Sequence, residues 1–93
     1  MVFVNNLHGY KIVLTSKAEK KLKEINKKDA NKITLKLKEL TEGAINLDVK
    51  KLQATQGYRL RYRDYRIIYK VEEKIITVLV IDIELRKEVY KNL

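Results

Sequence analysis

Hydrophobic and polar positions alternate most regularly between Tyr58 and Val71. From Tyr58 to Arg63, Tyr58, Leu60 and Tyr62 occupy one set of positions and Arg59, Arg61 and Arg63 the other. After Asp64 the alternation resumes: Tyr65, Ile67, Tyr69 and Val71 share one face, and Arg66, Ile68 and Lys70 the other. A period of two belongs to a β-strand with two unlike faces. Two such runs joined through Arg63-Asp64 predict an antiparallel hairpin. If Leu60 and Ile67 face a core, Arg59, Arg61 and Arg66 project together from the opposite side.

Upstream the period lengthens. Ala18, Leu22 and Ile25 recur at spacings of four and three, one apolar stripe of a helix. Ser16-Lys17-Ala18-Glu19 fits a capping box at its start, with Ser16 as the cap. Asn26-Lys27-Lys28 interrupts the stripe, and Asp29 is placed to cap a second helix with Ile33, Leu37, Leu40 and Ala44 inward. Gly43 supplies its stop. Before these helices, Tyr10–Thr15 reads as a first strand; residues 1–8 read as a loose leader. Residues 45–56 read as a loop ending in Lys50-Lys51-Leu52 and anchored by Leu52. Ile75–Ile81 is a continuous apolar run of the kind found in the interior of a sheet. The charged tail from Glu84 to Leu93 is expected to form a short terminal helix. The order is β-α-α-β-β-β with a C-terminal segment. This predicts an α+β fold in which a helical hairpin packs on a small antiparallel sheet. Nothing repeats and proline is absent, so residues 1–93 are expected to form a single domain.

Charge sharpens the picture. Lysine and arginine number 21 against 12 acids, a net +9, which points to an acidic partner. Between Lys50 and Lys70 lie seven basic residues (Lys50, Lys51, Arg59, Arg61, Arg63, Arg66, Lys70) and one acid, Asp64. Arginines at alternate strand positions stand roughly 7 Å apart, close to the phosphate spacing of a nucleic acid strand. Arginine presents a planar fork to phosphate, and tyrosine a stacking surface. A basic sheet face can also serve only to keep the protein soluble and its edges unpaired. The tyrosines Tyr58, Tyr62, Tyr65 and Tyr69 read first as core and sheet-packing residues. The helix lysines read mostly as solvated surface, and Lys50 and Lys51 stand between surface charge and contact with a polyanion.

Other chemistries are bounded by what is missing. There is no cysteine and one histidine, His8, so the usual zinc ligand sets cannot be assembled and no metal or cofactor is expected. No apolar run approaches the ~20 residues needed to span a bilayer. The first residues lack the pattern of a signal peptide, which leads to an expectation of a cytoplasmic protein without membrane attachment.

Several features in one order carry a family resemblance: the opening strand, the lysine-rich helical hairpin, Lys50-Lys51-Leu52, Tyr58-Arg59-Leu60-Arg61, Asp64-Tyr65-Arg66-Ile67-Ile68-Tyr69, and the ending Arg86-Lys87-Glu88-Val89-Tyr90. Over about residues 10–90 the chain resembles the RelE/ParE superfamily, the toxins of type II toxin–antitoxin pairs. The resemblance implies two activities. RelE-type members enter the ribosomal A site and cut mRNA, using the RNA 2′-OH as nucleophile and no metal. ParE-type members poison DNA gyrase. Both are neutralised by a small antitoxin, here expected to be acidic. By local match the resemblance assigns catalytic places to Arg59, Arg61, Arg66, Arg86 and Tyr90, with Lys50, Lys51 and Arg63 as RNA-binding residues.

The chain departs from the pattern just before its ending. Many relatives carry histidine or arginine there; this chain has Ile83, Glu84 and Leu85. Arginine is a poor general base, so the RelE-like reading leaves proton removal to Tyr90 or a lysine whose pKa a positive field has lowered. Glu84 reads first as a carboxylate at a helix N-terminus rather than as a base. The readings kept open are a RelE-like endoribonuclease, a ParE-like gyrase inhibitor, and a toxin that has lost its chemistry and only binds its antitoxin.

Overall fold

The computed structural model describes residues 7–44, 46–53 and 57–85. Strand β1 (Lys11–Leu14) leads into helices α1 (Ser16–Glu24) and α2 (Lys27–Leu40). Four strands follow: β2 (Val49–Lys51), β3 (Tyr58–Tyr62), β4 (Tyr65–Glu72) and β5 (Thr77–Leu85). The expected α+β architecture is present, with one strand more than the pattern announced. They form a five-stranded sheet in the order β1-β5-β4-β3-β2. All neighbours are antiparallel except β1 and β5, which run parallel, Lys11 opposite Thr77 and Leu14 opposite Val80.

The hairpin forms as its alternation predicts. Tyr58 pairs with Tyr69, Leu60 with Ile67, Arg61 with Arg66 and Tyr62 with Tyr65. Arg63 closes the two-residue turn at φ 55°, in the left-handed region such turns require. The register puts Leu60, Ile67 and Ile83 in one row, all buried. Above this face lie Ala18 of α1 and Ile33, Leu37 and Leu40 of α2, which join Tyr65, Tyr69, Val78 and Val80 in a single apolar core. The helical stripes therefore face the sheet as their spacing implies. Tyr58 and Tyr62 pack half-buried against this core. Tyr58 stacks on Tyr69 and Tyr62 on Tyr65, with centroids 5.4 and 6.4 Å apart.

Several local assignments shift. Thr15, not Ser16, caps α1: its hydroxyl accepts from the Ala18 N–H at 3.2 Å and donates to the Ile81 carbonyl at 2.9 Å. Asn26, not Asp29, caps α2, its side-chain oxygen accepting from the Asp29 N–H at 2.9 Å. Both corrections have one cause: each helix start holds two residues able to cap, and backbone direction chooses between them. Leu7, placed in the loose leader by sequence, is among the most deeply buried side chains. Its carbonyl accepts from the Tyr10 N–H at 3.0 Å, and the Gly9 N–H donates to Thr41 at 3.1 Å, tying this stretch to the end of α2. Ile75 and Ile76 do not continue the interior strand. They form an exposed turn before β5.

Candidate nucleic-acid interface

The helices cover one face of the sheet. The other carries the arginines. Two neighbouring cross-strand rows lie on it: Lys50–Arg59–Ile68, and Arg61–Arg66–Glu84. Lys50 is there because Val49–Lys51, read from sequence as loop, adds to the hairpin as a short edge strand. The pairing extends one residue upstream, where the Arg61 N–H donates to the Asp48 carbonyl at 2.9 Å. Beside these rows opens a cleft of about 450 Å³ lined by Lys50, Lys51, Leu52, Gln53, Arg59 and Arg66. The structure thus gathers four of the predicted residues, Lys50, Arg59, Arg61 and Arg66, on one sheet face, while Lys51, in register with Tyr58, joins them only at the lining of the cleft.

Arg63 does not join them. It sits at the exposed hairpin turn with its guanidinium 5.7 Å from the centre of the Tyr62 ring. The strict alternation that put it on the face of Arg59 and Arg61 ends where the chain reverses. Arg86 and Tyr90 lie outside the described residues, as does the expected terminal helix beyond Leu85. Glu84 is corrected outright: it is a β5 residue directly opposite Arg66, not a helix N-terminal carboxylate.

The electrostatics of the rows are uneven. Arg61 and Arg66 oppose each other across β3 and β4, and like charges so placed destabilise a sheet. The Glu84 carboxylate lies 3.8 Å from Arg66 Nε, within ion-pairing range but too far for a hydrogen bond. Asp48 accepts from Arg59 Nη2 at 3.2 Å. Arg59 Nε and Arg66 Nε are nonetheless buried donors with no hydrogen-bond partner among the described residues. Buried N–H groups of this kind are costly unless an acceptor meets them. Phosphate oxygens meet two guanidinium donors at once, which makes the rows chemically suited to a phosphodiester.

A second cleft, of about 570 Å³, lies where the end of α1 meets the ends of β4 and β5. Its lining includes Glu24, Glu84, Ile25 and Leu85 with Lys21. Lys21 is already engaged: with Lys17 it holds the Asp82 carboxylate, at 3.0 and 3.3 Å. This cleft has the wrong charge for a polyanion. No signal in the sequence distinguished Asp82 from its apolar neighbours as a buried acid. A bulge at Ile81 places it so, since Ile68 pairs with Asp82 while Tyr69 pairs with Val80.

Comparison with known proteins agrees with the fold. The sequence profile of the family described as the ParE toxin of type II toxin–antitoxin system, parDE, matches residues 12–90. No curated protein matches the chain by sequence. Among solved structures, the archaeal RelE–RelB complex from Pyrococcus horikoshii OT3 contains a chain 26% identical, with a TM-score of 0.68, over 83% of this chain and 94% of that one. The intact RelBE toxin–antitoxin complex of E. coli gives 25% identity and a TM-score of 0.68 over 81% and 94%. The RelB–RelE complex of Methanococcus jannaschii, at 24% identity and a TM-score of 0.69 over 87% and 98%, shares the fold. A helical hairpin on a mixed five-stranded sheet, with a profile match over most of the chain, places this protein in the ParE toxin family of type II toxin–antitoxin systems, within the RelE/ParE superfamily.

Proposed function

We propose that this toxin is a RelE-like endoribonuclease that cuts mRNA in the ribosomal A site by attack of a 2′-OH on the adjacent phosphate. The observation that carries the reading is the pair of cationic rows beside the Lys50-Lys51 cleft. Attack of the 2′-oxygen builds negative charge on the phosphate oxygens. Arg59, Arg61 and Arg66 are fixed on strands, so they meet that charge without reorganising. Lys50 and Lys51 hold the flanking backbone. Arg86 and Tyr90, which the family resemblance assigns to the same site, complete the set. Arginine stays protonated at neutral pH, so these groups act on phosphate charge and not as bases.

The partner is an acidic antitoxin, supported by the RelE–RelB complexes among the similar structures. The protein works in the cytoplasm, and no helix among the described residues is long and apolar enough to cross a membrane.

Inducible expression of the chain alone, with mapping of mRNA 5′ ends on ribosomes, tests the proposal. New ends within translated codons are expected. Arg61→Ala should reduce cleavage by about 10²-fold, the usual effect of losing one fixed charge-stabilising donor. The double variant Arg61→Ala/Arg66→Ala should no longer arrest growth. Full toxicity in that double variant would reject the assignment. A ParE-like block of gyrase is the competing reading, favoured by the matched profile and by an acid at position 84. It predicts double-strand breaks and an SOS response with no new mRNA ends.

A further inference from the structure

Besides the Lys36–Glu39 pair, in which neither partner is buried, the described chain has two kinds of acid–base contact, and they differ in which partner is buried. Asp82 is a buried acid held by exposed lysines, its side chain 12% exposed. Such a contact belongs to the fold. At the arginine rows the order reverses. Arg59 is 13% exposed and its partner Asp48 57%; Arg66 is 33% exposed and its partner Glu84 46%. Here the guanidinium groups are held in place and the carboxylates can turn into water.

From this asymmetry we infer that Asp48 and Glu84 are built-in counter-anions of the site, occupying Arg59 and Arg66 in the free toxin and yielding them to the phosphates of a bound strand. The inference rests on the polyanion reading proposed above and concerns how strongly the site is held back. Both acids are positioned by backbone pairing. Asp48 precedes β2, and its carbonyl is bonded to the Arg61 N–H. Glu84 is in register with Arg66. Each acid reaches one of two adjacent rows, so the pair masks two neighbouring phosphate positions. Neither contact is strong. In each the carboxylate is about half in water, where an ion pair adds little net stability, and the Glu84 contact lacks a hydrogen bond. A single anion displaces one carboxylate and leaves the other beside it. A strand presenting successive phosphates displaces both, so the site favours a phosphodiester chain over free phosphate.

The test uses the full chain and a short fluorescent 2′-O-methyl oligoribonucleotide, which offers phosphates but no attacking hydroxyl. Affinity is read by anisotropy at low and high salt. Glu84→Gln and Asp48→Asn should each bind about 2- to 5-fold tighter at low salt, the range set by a weak exposed ion pair. The gain should shrink as salt rises. Glu39→Gln, on α2 and paired with Lys36, should bind as the parent does. Unchanged or weaker binding in Glu84→Gln overturns the inference, as does an equal gain in Glu39→Gln, which would mark a general charge effect. If Asp48→Asn fails to fold, Glu84→Gln decides alone. Arg61→Ala/Arg66→Ala separates the two layers. Binding undiminished in that variant removes the polyanion reading itself, whereas weakened binding with no gain in the acid variants removes only the counter-anions.

Discussion

At the scale of single residues, two tyrosines on the same strand have opposite fates. The Tyr65 hydroxyl donates to Asp29 Oδ2 at 3.0 Å, linking β4 to the first turn of α2. Burial raises its pKa, and the Asp29 contact adds to the rise. Tyr69 is completely buried, and its hydroxyl finds no hydrogen-bond partner among the described residues. Burial pushes its pKa up as well, with a smaller contribution from Tyr58. A hydroxyl desolvated without a partner costs stability, whereas a satisfied one contributes. Tyr69→Phe should therefore stabilise the protein by about 1 kcal/mol, and Tyr65→Phe should cost about 1 kcal/mol, both read from urea unfolding. A change of the same sign in both would show that hydrogen bonding does not set the two hydroxyls apart.

At the scale of elements, α1 is fastened to β5 by polar contacts as well as by its narrow apolar stripe. Thr15 reaches the Ile81 carbonyl, while Lys17 and Lys21 reach Asp82. Burial works to raise the Asp82 pKa. The Lys21 contact, the Ile83 N–H and Lys17 outweigh it, so the folded value lies below the ordinary one. The sign follows from the folded state holding its proton less tightly. The Asp82 contribution is full above its unfolded value near pH 4 and disappears as pH falls through the lower folded value. Asp82→Ala should cost about 1–3 kcal/mol at neutral pH. The difference from the parent should narrow in strongly acidic buffer, and a constant difference down through that range would contradict the linkage. This fastening was illegible in the sequence because it depends on one extra residue in a strand, and bulges leave no periodic trace. The β3–β4 hairpin was legible, since each of its positions obeys a two-residue period set by burial on one face. Strand β2 was not: its Val49-Lys50-Lys51 is short, lies at an edge and needs only one apolar residue. Glu84 was misplaced because a charged segment reads alike on a helix end and on the open face of a sheet.

At the scale of the whole molecule, a sheet covered on one side by helices presents its cationic rows on the other, in a chain of net charge +9. Association with the proposed acidic antitoxin should therefore be led by long-range attraction. Its rate should fall by about tenfold or more between low and high salt, while dissociation changes less; stopped-flow mixing measures both. An association rate independent of salt would mean that apolar contact leads. The parallel pairing of β1 with β5 has its own consequence. The strand that begins at Lys11 waits for one that begins at Thr77, and the entropy of closing so long a loop comes before any reward. During translation, a chain ending short of Thr77 has an unpartnered first strand and lacks the Val78, Val80 and Ile83 floor beneath its helices. The floor beneath the helices and the carboxylate facing Arg66 are carried by the same strand, so the core and this part of the arginine face are completed together when β5 pairs.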